Sequence, residues 1–441
     1  MKIKITAWLL ALVTIVAFTS CGDDDGDTDL NPDLNPSNAD FLASEILALG
    51  EVDLGLTIPT TYPETNATTG TLAPAAYNGQ VTRIEQLKQI TAVLKDQPIT
   101  ADLSNALADG GNALFTGSIA GSGTNIRTKI DELNFDGDNG AVDQSVADAF
   151  ANLADLMVQL SVDNNTAGNV AAVAGTAGVL DGRHFDANGL EYAQMLEKGL
   201  YGPLLYNQMA ADYLRSVQAG SESTNNVADA GDDFASEGTA RQHAFDEAFG
   251  YLGANPLTYP NSANASNGDG SFISNYMFDF STLTEEAYGI NLAQKTMDAF
   301  LFGRTVLKAG EGNTSLDEST VEEYYNAARA DVILYVESAL AAASFHYLNL
   351  SLEEDINLVP EDKLHHLSEA LAFMYALAWG PQGETRISTA EVYDALGELG
   401  WGASNLSGVY DINLWDVTDA QLEAARQALN ASFPGFADVD F

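Results

Sequence analysis

Apolar residues recur every three to four positions in eight windows of this chain, and no series of short alternating apolar and polar runs accompanies them. The windows are Val81–Leu94, Val142–Leu160, Leu190–Val217, Glu285–Leu307, Val321–Leu350, Leu364–Trp379, Val392–Leu399 and Ala420–Leu429. That period gathers the apolar side chains on one stripe of a helix and scatters them over both faces of a strand, so the chain reads as all-α. Capping boxes mark four helix starts, at Thr282…Glu285, Thr320…Glu323, Ser388…Glu391 and Thr418…Gln421. In each, a hydroxyl caps the first turn and an acid or amide three residues on reaches back. Ile387 and Val417 precede two of these caps as hydrophobic staples would. Gly199 and Gly202-Pro203 inside the Leu190–Val217 window predict a kink or a close helix approach. Three polar stretches between helices, 134–140, 220–238 and 253–270, are long for a compact helical protein.

One short pattern occurs twice, as His243-Ala-Phe-Asp-Glu247-Ala-Phe-Gly-Tyr251 and as His365-His-Leu-Ser-Glu369-Ala-Leu-Ala-Phe373. Three of the five histidines of the chain fall in these two copies. Residues four apart share a helix face, so each copy sets an imidazole beside a carboxylate. The repetition predicts duplicated helical bundles, one over residues 80–252 and a second over 275–441. Residues 41–79, with Ile58-Pro59, Tyr62-Pro63 and Asn78-Gly79, read as an extended arm before them. The 253–270 stretch directly follows the first His/Glu helix, in a position to fold over it.

Together His243, Glu247, His365 or His366, and Glu369 offer two nitrogens and two oxygens, a donor set suited to iron or zinc if the two helices pack face to face. A His/Glu pair at this spacing equally serves as an ion pair or as a cap for a neighbouring loop, and a duplicated structural pair would repeat just as well. Other chemistries lack their residues. His-Glu-x-x-His is absent, Cys21 is the only cysteine, and there is no Gly-x-Ser-x-Gly elbow or phosphate-cradling loop. Asp136-Gly-Asp138-Asn-Gly140 begins like a calcium loop but lacks the later Glu, and reads as a turn. His184 and His346 stand alone and read as surface or helix-end residues. The stretch from Tyr192 to Gln208 carries Glu197 and Tyr201 at helical spacing, where they line either a pocket or the core. Arg304 is a rare basic group in an acidic chain, placed to meet a carboxylate or a ligand; with Asp246, Glu197 and Tyr201 it completes the candidate ligand-binding set.

The formal charge is −45 over 441 residues. A surface so acidic repels nucleic acid and anionic sugars and attracts cations, which excludes nucleic-acid binding and suits either a cation-collecting role or solubility in a saline habitat. The N-terminus states a location. Lys2 and Lys4 precede an apolar run, Ala7 to Phe18, of about 12 residues, too short to span a bilayer and typical of a signal peptide over residues 1–20. Phe18-Thr19-Ser20-Cys21 resembles a bacterial lipobox, with Cys21 as the lipidated residue. Gly22-Asp23-Asp24-Asp25-Gly26-Asp27 resembles the acidic tag that sends Bacteroidetes lipoproteins to the cell surface, and residues 21–40 read as a flexible tether. Removing the leader with its two lysines takes the charge from −45 to −47.

The stretches Asn78-Gly-Gln-Val-Thr-Arg83, Glu197-Lys-Gly-Leu-Tyr-Gly-Pro-Leu-Leu-Tyr-Asn-Gln208, His243 to Tyr251 and Gly303-Arg304 resemble the DUF4856 family of Bacteroidetes lipoproteins, over most of the chain after about residue 50. Such proteins resemble imelysin-like surface proteins, two-bundle helical molecules linked with iron uptake and described as metallopeptidases. The imelysin Gly-x-His-x-x-Glu motif is matched in its second half by His366-Leu-Ser-Glu369, with Leu364 in the place of the Gly. The expectation is an outer-membrane lipoprotein, exposed at the cell surface, that binds a divalent metal or another ligand beside outer-membrane uptake proteins, without catalysis. The alternatives are an imelysin-like metallohydrolase, with one Glu as base toward a metal-bound water, and an adhesion scaffold in which the His/Glu pairs only fix packing.

Overall fold

The computed structural model describes residues 41–50, 54–62, 77–95, 98–99, 102–108, 113–130, 144–214, 240–262, 270–310 and 316–441. The leader, Cys21, the acidic tether and the polar stretches 134–140 and 220–238 lie outside the described residues, as do 263–269 of the third stretch. The fold is all-α. Its helices are α1 (Glu45–Ala48), α2 (Asn78–Leu94), α3 (Leu103–Ala108), α4 (Ile126–Ile130), α5 (Gln144–Thr166), α6 (Tyr192–Glu197), α7 (Ala240–Leu252), α8 (Ile273–Tyr288), α9 (Leu292–Gly310), α10 (Glu318–Glu353), α11 (Pro360–Leu377), α12 (Thr389–Glu398) and α13 (Asp419–Asn430). A two-stranded antiparallel hairpin, β1 (Gly178–Leu180) and β2 (Arg183–Phe185), pairs Val179 with His184. Periodicity had no means of finding it, because three residues are too few to show an alternation. No helix among the described residues is long and apolar enough to cross a membrane.

The molecule is organised around α10. Its 36 residues extend ~54 Å at ~1.5 Å per residue, and from Val332 to Phe345 every residue is buried. A helix apolar on all sides has to be covered on all sides, and α1, α8, α9, α11 and α13 pack around it. One contiguous apolar core runs through the described chain from Phe41 to Phe441. Within it α7 packs on α9, across the 252/275 boundary drawn from the repeat.

Two of the four expected capping boxes form, at Ser388/Glu391 and Thr418/Gln421. The other two lie inside helices: α8 starts at Ile273, nine residues before Thr282 and without a side-chain cap, and α10 has a better cap upstream of Thr320. Asp317 Oδ1 accepts the Thr320 amide at 2.9 Å and starts α10 before Thr320 can, its charge also favoured by the helix dipole. The Glu285–Leu307 window is two helices. Gly289 ends α8 in the left-handed conformation (φ 71°), its amide bonded back to Glu285 and Thr284. Asn291 then accepts the Gln294 amide at 3.0 Å to begin α9.

Candidate functional site

Past Lys198 the Leu190–Val217 window winds as two π-helical segments, Tyr201–Tyr206 and Gln208–Tyr213. Gly202 is the reason the first can dock. A Cβ there would lie 2.3 Å from Trp379 Cδ1 and 2.8 Å from the Ala376 Cα, so only a glycine lets this backbone reach α11. Asn207 donates to the Trp379 carbonyl at 2.8 Å and fixes the register. Both α7 and α11 pack on the Tyr201–Tyr206 segment.

α11 begins with Pro360 at its first turn and Glu361 and Asp362 beside the dipole's positive end. That start sends Leu364, Leu367 and Leu371 into the core and points His365 and Glu369 at α6. Glu369 is 4% exposed. Its Oε1 lies 2.9 Å from Lys198 Nζ and its Oε2 3.4 Å from His365 Nε2. The opposite nitrogen of His365, Nδ1, stands 2.6 Å from Glu191 Oε2. Glu191 Oε1 accepts from Gln194 Nε2 at 3.2 Å, and Gln194 Oε1 accepts from Lys198 Nζ. Glu191, His365, Glu369, Lys198 and Gln194 therefore close a ring, with Ser368 Oγ accepting the Glu191 amide at 3.0 Å. Burial alone would lower the Lys198 pKa, but Glu369 and then Glu197, 3.5 Å away, outweigh it and hold the ammonium above its ordinary range.

His366 turns toward α10, where its Nδ1 lies 2.9 and 3.1 Å from the two carboxylate oxygens of Glu354. Burial raises the Glu354 pKa and His366 opposes the shift. One donor atom from each of His365, His366 and Glu369 lies within 4.8 Å of the others, the one such group of three His, Cys, Asp or Glu residues among the described residues. One turn beyond Glu369, Phe373 is enclosed by Tyr276, Tyr347 and Tyr201 at ring distances of 4.7, 5.6 and 5.7 Å. Burial raises all three phenols, so they stay protonated.

The first motif repeats the pair and changes its surroundings. His243 Nε2 lies 3.4 Å from Glu247 Oε2, the same separation as in the second copy. Where Lys198 serves Glu369, the neutral amide of Gln80 donates to Glu247 Oε1 at 2.7 Å. Burial raises the Glu247 pKa against the opposing pull of His243 and Gln80. Asp246 accepts the Tyr62 hydroxyl and Arg304 Nε at 2.7 Å each, and Arg304 Nη1 donates to Gln242 Oε1 at 2.7 Å.

Of the five expected metal ligands, the structure brings together His365, His366 and Glu369, while His243 and Glu247 form a pair of their own with Gln80. The expected ligand-binding residues divide likewise. Glu197 borders Lys198, Tyr201 packs on Phe373, and Asp246 and Arg304 bind each other in the first motif. His184 is not at the surface: it is 3% exposed on β2 and 3.1 Å from the Asn164 amide nitrogen, and burial lowers its pKa. His346 lies within α10, edge-on to Tyr347 at 4.8 Å. Sequence reasoning missed Glu191, Gln194, Lys198, Glu354 and Gln80. Lys198 left a signal, as one of only 18 basic residues in the chain, next to Glu197 in the stretch already singled out.

The sequence model of a family described as a domain of unknown function, DUF4856, matches residues 64–436, and the chain belongs to that family. No curated protein and no solved structure matches it.

Proposed function

We propose that this DUF4856 protein is a cell-surface lipoprotein that binds a divalent metal ion, zinc or ferrous iron, through His365, His366 and Glu369, without turning over a substrate. The observation that carries the reading is the pair of carboxylates behind the two imidazoles: Glu191 at Nδ1 of His365 and Glu354 at Nδ1 of His366. A carboxylate on one ring nitrogen fixes the tautomer, orients the ring and makes the other nitrogen a better donor, which is the usual outer shell of a ligating histidine. Four carboxylates, Glu191, Glu197, Glu354 and Glu369, meet there, with Lys198 as the ammonium inside the ring. The surplus negative charge favours a cation.

Binding is favoured over hydrolysis because Glu191 and Glu354 are each held by an imidazole and Glu369 by Lys198. With Glu197 also facing Lys198 at 3.5 Å, none of the four stands free as a general base toward a metal-bound water. A packing role is the second reading, supported by the same Lys198–Glu369 contact, which neutralises Glu369 without any metal. Cys21 would carry the lipid and residues 22–40 the tether, and the body would then stand at the outer membrane, where uptake proteins could receive the ion.

Elemental analysis and calorimetry with Zn(II) and Fe(II) on the full chain, against the His365→Ala/His366→Ala variant, test the proposal. About one equivalent in the parent and none in the folded variant is the expected result. Equal metal in both, or none in either, overturns it and leaves the packing role.

A further inference from the structure

A cleft of about 550 Å³ opens where the N-terminal segment crosses α9 and α10. Its buried floor is Met297, Ala299, Leu301 and Phe302, and Leu47 and Ile58 rise from the N-terminal segment as walls. Tyr335 lines it from α10, twelve residues before the Tyr347 that packs on His366, so ~18 Å of helix separates it from the His/Glu cluster at ~1.5 Å per residue.

The walls are held by two carboxylates. Asp331 of α10 accepts the Ser44 hydroxyl and the Glu45 amide at 2.6 Å each, and so pins the start of α1 from the body. Asp246 accepts the Tyr62 hydroxyl, whose ring stacks on Phe249 at 3.9 Å, and so pins the extended segment that carries Ile58. The first His/Glu motif stands apart from the His365, His366 and Glu369 group, and its Asp246 and Phe249 anchor one wall of the cleft instead.

We infer that this cleft is a second binding site, and that its ligand is an amphiphilic organic cation, an apolar body with an amine or quaternary ammonium head. The volume lies within the ~300–1,000 Å³ of small-molecule sites, and an apolar floor with few polar groups is their usual lining. The head-group sign follows from the charged groups of the lining, which among the described residues are Asp298, Asp331 and one cation, Lys295. Asp298 is solvent-accessible on α9 and accepts from Gln294 through only its Oδ1. The protein's charge of −45 adds to that preference at longer range. An anionic amphiphile would meet Asp298 and the field of the whole surface, with the buried charge of Asp331, whose oxygens are taken by Ser44, Glu45 and Ile46, behind the wall.

Calorimetric titration of the full chain with decyltrimethylammonium below its micellar concentration tests the inference, with decyl sulfate and tetramethylammonium as comparison ligands. Saturable one-to-one binding of the cation, at least tenfold tighter than either comparison ligand, is expected. Asp298→Lys should weaken it about tenfold, and Leu47→Asn, at a wall residue 52% exposed, by threefold or more. Asp394→Lys, an exposed acid on α12, should leave it unchanged. These are exposed positions, and circular dichroism checks that each variant is folded. Absence of saturable binding, equal affinity for decyl sulfate, or equal weakening by Asp394→Lys overturns the inference. The metal proposal stands or falls separately, on metal content.

Discussion

Replacing Lys198 by Met separates the metal reading from the packing reading. The change keeps an unbranched side chain one atom shorter and removes its charge. In the ring, Lys198 Nζ is the cation on Glu369 Oε1 at 2.9 Å, with the two side chains 8% and 5% exposed. Removing one partner of so buried a pair leaves the other charge uncompensated, at a cost of ~3–5 kcal/mol. With 441 residues and ~2.1 cal/mol/K of unfolding entropy per residue, the transition carries ~0.9 kcal/mol/K, so the melting temperature should fall by ~3–5 °C. Scanning calorimetry in chelated buffer measures this. Zinc or ferrous iron is then added. An ion that binds only the folded state at ~100 times its dissociation constant contributes ~2.7 kcal/mol, or ~3 °C on the same entropy. The increment should be larger in the variant than in the parent, because no ammonium competes for Glu369. If the variant melts where the parent does, Lys198 is not what compensates Glu369. If it melts lower and metal restores neither protein, the ring is a packing device and the metal proposal is wrong.

Glu337 predicts a pH dependence. It is fully buried in α10 and accepts the amides of Arg386 and Ile387 at 2.9 and 3.1 Å; burial, opposed by those bonds, raises its pKa to about 7 from an ordinary 4.5. A carboxyl with a raised folded pKa holds its proton more tightly folded than unfolded, so its stabilisation is fully present below 4.5 and lost as pH rises through about 7. Melting curves across that range should show a fall that Glu337→Gln lacks, and parallel curves would contradict the assignment. Tyr62→Phe removes a buried hydrogen bond to a carboxylate and should cost ~1.5–3 kcal/mol in a denaturant titration; an unchanged midpoint would mean that Asp246 does not hold the arm. Gly202→Ala forces a methyl against Trp379 and the Ala376 backbone and should cost ~1–3 kcal/mol, with a change in tryptophan fluorescence; an unaltered protein would show that the π-helical segment can withdraw. His243→Ala should leave metal content as it is, and loss of metal would restore a site shared by both motif helices.

Much of the fold was legible because helical periodicity needs only local spacing. Val81–Leu94, Val321–Leu350 and Leu364–Trp379 fall within or nearly within α2, α10 and α11, and both motif copies are helical as expected. What was not legible depended on competition or on distance. Thr282 and Thr320 carry sound cap signatures, yet α8 is already under way at the first and Asp317 caps α10 ahead of the second. The π-helical winding after Gly199 and Gly202 follows from the approach to Trp379, a residue 177 positions away from Gly202 that spacing along the chain does not reveal. The ring around His365 is of the same kind. Glu191 comes from the turn before α6 and Glu354 from the end of α10, and neither has a fixed offset from α11 that a motif could record.

The two copies of the motif sharpen this point, because their local geometry is the same and their surroundings are not. Each imidazole Nε2 lies 3.4 Å from its Glu, as spacing on a helix dictates. The fourth position of the first copy is Asp246, which reaches Tyr62 and Arg304 and ties an arm to the body; in the second copy it is Ser368, which accepts the amide of Glu191. Behind the first carboxylate stands the neutral Gln80, and behind the second the charged Lys198. The second imidazole also has a further carboxylate, Glu191, on its other nitrogen and a second histidine beside it. The repeat therefore specifies a pair, and residues contributed by α2, α6, α9 and α10 decide what each pair serves. One copy anchors the wall of a cleft, and the other holds the donor set that we assign to a metal.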